Sequence, residues 1–280
     1  VTLFNGPVYI NTPAPPAVQP GLFDVAMGPM PFPRPEGQGG GVIYVPDTCS
    51  GAVNLRAINC PAVTGAKTFT GIEAAVSGAP FGVYSSYTCG SIGFSFEEVR
   101  QRVVTRLQLQ EQRAVEKRLW QGDSGQNITG LFRNATNLGT SSCTTEAIMI
   151  LEQALADNAI VGGIIHARPG MMAHVAAARL VVSPKERVFT TPLGTPYVFG
   201  QGYDGTGPTG QATSSTGEWM YATGRVLVWQ DSEIFVPPIG QTMDLTLNQV
   251  MVIAEKVYAV AVECYVAAVQ VTRSCVSALG

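Results

Sequence analysis

Gly122-Asp123-Ser124-Gly125 is the string that surrounds the nucleophile of chymotrypsin-like proteases, so the search for chemistry begins there. A serine nucleophile of that kind needs a histidine base, and that fold places it well upstream of the serine. The chain has two histidines, His166 and His174, and both follow Ser124. The elbow of an α/β-hydrolase is excluded as well, because it requires G-x-S-x-G on a strand-to-helix turn and this string follows a helical stretch. His166 and His174 lie eight residues apart, without the i,i+4 spacing of a metal pair, and read as satisfied or exposed histidines. The six cysteines, at 49, 60, 89, 143, 264 and 275, form no C-x-x-C, match no zinc spacing and read mostly as reduced, buried thiols. Asn127-Ile128-Thr129 and Asn134-Ala135-Thr136 are formal glycosylation sequons without a secretion signal. No P-loop or dinucleotide fingerprint is present, so neither an enzyme, a cofactor nor a metal is expected.

The totals point the same way. At 280 residues the chain can bury a full core, and with 13% charged residues and a net charge of -3 it lacks the basic face of a nucleic-acid reader. Thirty-one glycines and nineteen prolines favour strands and loops over a helical bundle. No apolar run reaches 18 residues and no signal peptide opens the sequence, which reads as soluble and made in a cytosol; Val1 is what removal of an initiator Met would leave.

One element must position the rest. Ser95 and Glu98 form an S-x-x-E capping box, Phe94 can pack on Val99, and Gly122 supplies a stop, so the spacing predicts a single helix over Ser95–Trp120, roughly 39 Å long. Its apolar stripe, Phe96, Val99, Val103, Leu107 and Ala114, is thin, and Gln108, Gln110 and Gln112 interrupt it. Arg100, Arg102, Arg106, Arg113 and Arg118 outnumber the local acids, and Glu98 with Arg102 makes an i,i+4 pair. Such a helix is either a solvated face or a spine shared between subunits.

Before the helix, residues 1–41 hold nine of the nineteen prolines yet carry apolar anchors, which reads as an extended arm needing a surface to lie on. Residues 42–88 alternate short strands (42–45, 66–69, 81–87) with turn residues and read as a projecting hairpin. After it come a helix over 144–158, with Ile148, Leu151, Ala154 and Leu155 inward, a buried strand over 160–166, and a helix from Pro169 to Leu180. Residues 181–198 read as strands turning at Ser183-Pro184 and Thr191-Pro192, and Gly200–Gly217 as a surface tip. Residues 218–229 and 250–271 are the strongest strand signals, the second divided at Glu255-Lys256, and the fold class is α+β.

This order of parts resembles the major capsid protein of tailed bacteriophages with the Hong Kong 97-type fold, in the branch common among actinobacteriophages. The strings that carry the resemblance are GFSFEEVRQRVVTRLQLQEQRAVEKRLWQG at 93–122, GGIIHARPGMMAHVAAARLV at 162–181, TPLGTPYVFGQGYDGTGP at 191–208 and VIAEKVYAVAVECYVAAVQV at 252–271. The resemblance implies an N-terminal arm (1–41), an E-loop (42–93), a spine helix (94–122), a peripheral domain (123–150 and 242–280) and an axial domain (151–241), with the 200–217 loop at the capsomer centre. It implies a structural protein that assembles with itself into hexamers and pentamers of an icosahedral or prolate shell around double-stranded DNA. Portal, scaffolding and decoration proteins would be partners, packaged DNA would be touched non-specifically, and no membrane is involved. The particle would be a virion capsid assembled in the host bacterial cytoplasm. Encapsulin shells share this fold and are the rival reading, followed by a decoration or tail protein. The contact residues expected between subunits are Arg100, Arg102, Arg106, Arg113, Arg118 and Lys67, the hairpin's one lysine, which a Lys-to-Asn crosslink would require. Cys49 and Cys60 could instead staple the hairpin.

Overall fold

The computed structural model describes residues 18–34, 37–46, 74–90, 95–213, 217–238, 243–244, 246 and 249–272. The first elements are β1 (Met27–Pro31), the single turn α1 (Gly37–Gly40), β2 (Val42–Tyr44), β3 (Val76–Gly78), β4 (Pro80–Gly90) and the long helix α2 (Phe96–Trp120). Next come β5 (Gly122–Asp123), β6 (Ile128–Thr129), β7 (Thr136–Ser141), α3 (Thr144–Asp157), β8 (Ile164–Ala167) and α4 (Met171–Ala177). The chain continues through β9 (Val182–Lys185), β10 (Val188–Thr190), β11 (Pro196–Phe199), β12 (Gly217–Thr223) and β13 (Val226–Gln230), and ends in β14 (Met243–Asp244), β15 (Gln249–Val262) and β16 (Val266–Thr272).

The α2 start is built as its sequence specifies. Ser95 Oγ accepts from Glu98 N at 3.2 Å while Ser95 N donates to Glu98 Oε2 at 2.8 Å, a reciprocal cap that contributes about 1 kcal/mol. Phe94, the other half of the expected start, lies outside the described residues. At the far end Gln121 caps the helix and Gly122 takes a φ of +73°, where a Cβ would collide with the β6 backbone.

Two large sheets share the chain, beside the two-stranded pairs β2–β3 and β5–β6. The larger has seven strands in the order β7-β16-β12-β8-β11-β10-β9; the smaller runs β1-β13-β15-β14, with β4 along the other edge of β15. β12–β13 and β15–β16 each leave one sheet and enter the other, so both crossings fall at the same level. There Arg225 Nε and Nη2 meet the Glu263 carboxylate at 2.7 and 3.1 Å, and Glu263 N donates to Arg225 O at 2.9 Å. The division expected at Glu255-Lys256 is therefore wrong. β15 runs straight through that pair, because alternation puts Lys256 inward against Gln230 Oε1 at 2.8 Å and Glu255 on the opposite face, and the break comes at Cys264, with φ 62°.

Other expectations shift for local reasons. The strand expected over 160–166 shortens to β8 because Ala159 and Gly162 take positive φ. Ser183-Pro184 lies inside the edge strand β9, which tolerates a proline, and the turn falls instead at Arg187, φ 65°. In the arm, Met27–Pro31 forms a strand parallel to β13 in spite of its prolines, with a register shift between Met27 and Met30 that accommodates Pro29. Cys143 is a free, half-buried thiol, and Cys264 is disulfide-bonded. The 66–69 strand, Lys67, Cys49 and Cys60 lie outside the described residues.

Candidate assembly surface

The C-terminal half of α2 is buried far more deeply than its thin stripe suggested. Val115, Leu119 and Trp120 are in the core, and so is a carboxylate, Glu116. Glu116 Oε1 accepts from Leu22 N at 3.0 Å and Oε2 from Gly202 N at 2.9 Å, so one side chain ties the arm and the 200s loop to the helix. Burial pushes its carboxyl above the ordinary range, against the pull of the Leu22, Gly202 and Gln201 N–H groups. One turn earlier Gln112, expected to interrupt the stripe, is itself buried and donates to Gln19 O at 3.3 Å. Arg187 completes the fastening by pairing with Asp24 at 2.7 Å and donating to Val18 O at 2.9 Å. The described arm thus lies on its own subunit.

Gly200–Pro208 is correspondingly not a surface tip. Tyr203 packs at a tilt against Trp120 with ring centroids 4.7 Å apart, Trp120 Nε1 donates to Thr206 O at 2.9 Å, and a Cβ at Gly202 would strike the α2 backbone. The glycines here permit close approach.

The arginines of α2 divide by environment. Arg100 pairs with Glu97 at 3.2 Å within the helix, and Arg102 is exposed. Arg106 donates to Ser86 O at 3.1 Å and lies over the Tyr87 ring. Arg118 donates to Thr129 O and covers Phe81, and burial lowers its pKa. Arg113 is exposed and bonds to no described residue. These five do not converge on a common point.

A different surface, which the sequence did not single out, is the outer face of the smaller sheet. Its inner face, Val250, Val252, Ala254 and Tyr258, packs towards α2, and Tyr258 donates to Glu111 Oε2 at 2.6 Å. On the outer face, the β2–β3 hairpin root covers Trp229, Ala259 and Ala261 through Val42, Tyr44 and Val76. Farther along the same face nothing among the described residues covers Tyr84, Phe235 or Met251, which are 63%, 62% and 53% exposed. Register places Tyr84 and Phe235 on either side of Glu255 in one row. A second apolar groove, of about 420 Å³, runs between α3 and the β10–β11 turn, where Leu193 is 81% exposed. Alternation in β4 and β15, read strand by strand, could have found the first surface; the second depends on tertiary placement.

The residues tested for chemistry stay apart. His166 is fully buried, held by Tyr203 Oη and Thr223 Oγ1, each at 2.9 Å, and burial lowers its pKa to about 3. Ser124 is exposed on a turn, and Asp123 is paired with Lys117 at 2.6 Å. Among the described residues no cluster could hold a metal, and no helix is long and apolar enough to cross a membrane.

Neither a family model nor a curated protein sequence matches the chain. Solved structures do. A chain of the capsid of an empty GTA particle gives a TM-score of 0.58 at 11% identity, covering 96% of this chain and 95% of that one. Chains of Mycobacterium phage Bobi and Mycobacterium phage Ogopogo give 0.55 and 0.51, both at 12% identity, covering 96% of this chain and 96% and 98% of theirs. At such identities the likeness is one of fold, and the fold is the Hong Kong 97-type capsid fold.

Proposed function

We propose that this chain is a phage major capsid protein, a structural subunit that assembles with itself into hexamers and pentamers of a closed shell around double-stranded DNA. The observation that carries the reading is the likeness over 96% of the chain to a chain of a capsid particle. Tyr84 and Phe235, which flank Glu255, and Met251 on the same face support it, since exposed apolar side chains that no described residue covers are suited to contact with another molecule. Residues 1–41, 42–93, 94–122, 123–150 with 242–280, and 151–241 are proposed as arm, E-loop, spine, peripheral and axial domains. Arg100, Arg102, Arg106, Arg113, Arg118 and Lys67 are the proposed contacts between copies. Portal, scaffolding and decoration proteins would join the particle, which forms in the host bacterial cytoplasm.

Sedimentation and negative-stain microscopy of the expressed chain test this. Closed particles of megadalton mass are expected; a stable folded monomer at every concentration and salt condition would defeat the reading. Particles that form in the phage context but never contain DNA would favour an encapsulin-type compartment instead.

A further inference from the structure

The polar stretch after α2, which contains the Gly122–Gly125 string and both sequons, builds a cleft of about 460 Å³ at the helix's C-terminal end. Gln121 closes it from the helix, Ser124 and Asn127 come from the β5–β6 turn, Arg133 and Asn134 from the 3-10 turn Leu131–Asn134, and Thr209 from across the chain. The walls are fixed. Phe132 is fully buried against Trp120 and Tyr221, and a Cβ at Gly130 would collide with the end of α2.

Arg133 is the one charged group lining the cleft, half-buried, with no hydrogen bond or ion pair to any described residue. The neighbouring acids are already engaged. Asp123 takes Lys117 and Gly125 N, and Asp204 accepts from Thr206 N at 2.9 Å and Thr206 Oγ1 at 2.7 Å. A partly desolvated guanidinium surrounded by neutral amides and hydroxyls favours an oxyanion, which it can hold through two parallel N–H donors.

Resting on the capsid reading above, we infer that this cleft receives an acidic side chain from a second copy of the chain. Charge selects that occupant. A single cation suits one carboxylate, whereas a nucleic-acid backbone is held by several cations that neutralise successive phosphates. The chain supplies the carboxylates, with 20 acidic against 17 basic residues, and exposed Glu233, near Phe235, has no described partner.

The test uses nuclease-treated, DNA-free assembly of wild type, Arg133→Gln, Arg133→Lys and Arg133→Glu, read by light scattering and sedimentation, with thermal unfolding of the unassembled subunits alongside. Unchanged melting is expected in all four. Arg133→Gln should raise the critical concentration about tenfold, Arg133→Lys less, and Arg133→Glu should abolish shells. Variants that assemble like wild type overturn the proposal. So does a defect that is absent from DNA-free assembly and appears only as weaker binding of double-stranded DNA added to the assembled shells, because the cleft then takes phosphate. Loss of assembly that merely tracks a lowered melting temperature also overturns it, in favour of a structural role. Wild-type chains that never assemble defeat the capsid reading, and this one with it.

Discussion

Leu22 N donates to Glu116 Oε1 across 94 residues of sequence, at 3.0 Å and out of contact with water. The contact decides where the arm lies, since a buried backbone N–H without a partner costs about as much as the bond itself contributes. Glu116→Ala leaves the Leu22 and Gly202 donors unpaired and should destabilise the unassembled subunit by about 2–4 kcal/mol in denaturant unfolding. The same carboxyl gives a pH signature. Its folded pKa is raised above the usual 4.5, so the stability linked to its protonation is complete below 4.5 and is lost as pH rises through the folded value. Glu116→Gln does not titrate there, and wild-type stability should therefore fall relative to the variant as pH rises through that window. A pH-independent difference between the two would count against the assignment.

Gly202 tests whether the 200s loop is packed or free. A Cβ at this position meets Arg113 O, Glu116 Cβ and Lys117 N, whereas one at Gly170 meets nothing within 4 Å. Gly202→Ala should cost about 2 kcal/mol or more and Gly170→Ala little, as measured by thermal unfolding. Equal, small effects would restore the reading of this loop as a surface tip.

Arg225 and Glu263 hold the level at which the chain changes sheets. The Glu263 side chain is 1% exposed, so Arg225→Met removes the cation beside a buried carboxylate and should cost about 3 kcal/mol. Adding Glu263→Gln removes the charge and should recover part of that loss. A double variant no more stable than the single one would show that the ion pair is incidental to the crossing.

What the sequence made legible was local. Ser95, Glu98 and Gly122 bound α2 because caps act within a few residues, and Ile148, Leu151, Ala154 and Leu155 fell inward because one helical period decides them. Glu116 was missed because a charged residue reads as solvated until its distant donors, Leu22 and Gly202, are known. The unbroken course of β15 was missed because Glu255 and Lys256 look like a turn when read along the chain, and only the pleat sends them to opposite faces. The Gly200–Pro208 glycines look flexible in sequence, and close approaches give them their purpose, of α2 to Gly202, of the Tyr203 ring to Gly200 and of Trp219 to Gly207.

Arg113 and Arg106 separate a shared spine from a wet helix. Arg113 is exposed and bonds to no described residue, so Arg113→Glu should leave the subunit's melting unchanged. Arg106 holds Ser86 O and covers Tyr87, so Arg106→Glu should cost about 1 kcal/mol and still leave a folded chain. An exposed ion pair contributes under about 1 kcal/mol, too little for either reversal to unfold a monomer. Each contact between copies, however, recurs throughout a shell, and a small loss at every one becomes a failure to close. Both variants are therefore expected to give folded subunits without particles. A merely solvated helix instead yields shells in normal number from both, and electron micrographs of the two variants beside wild type would show which holds.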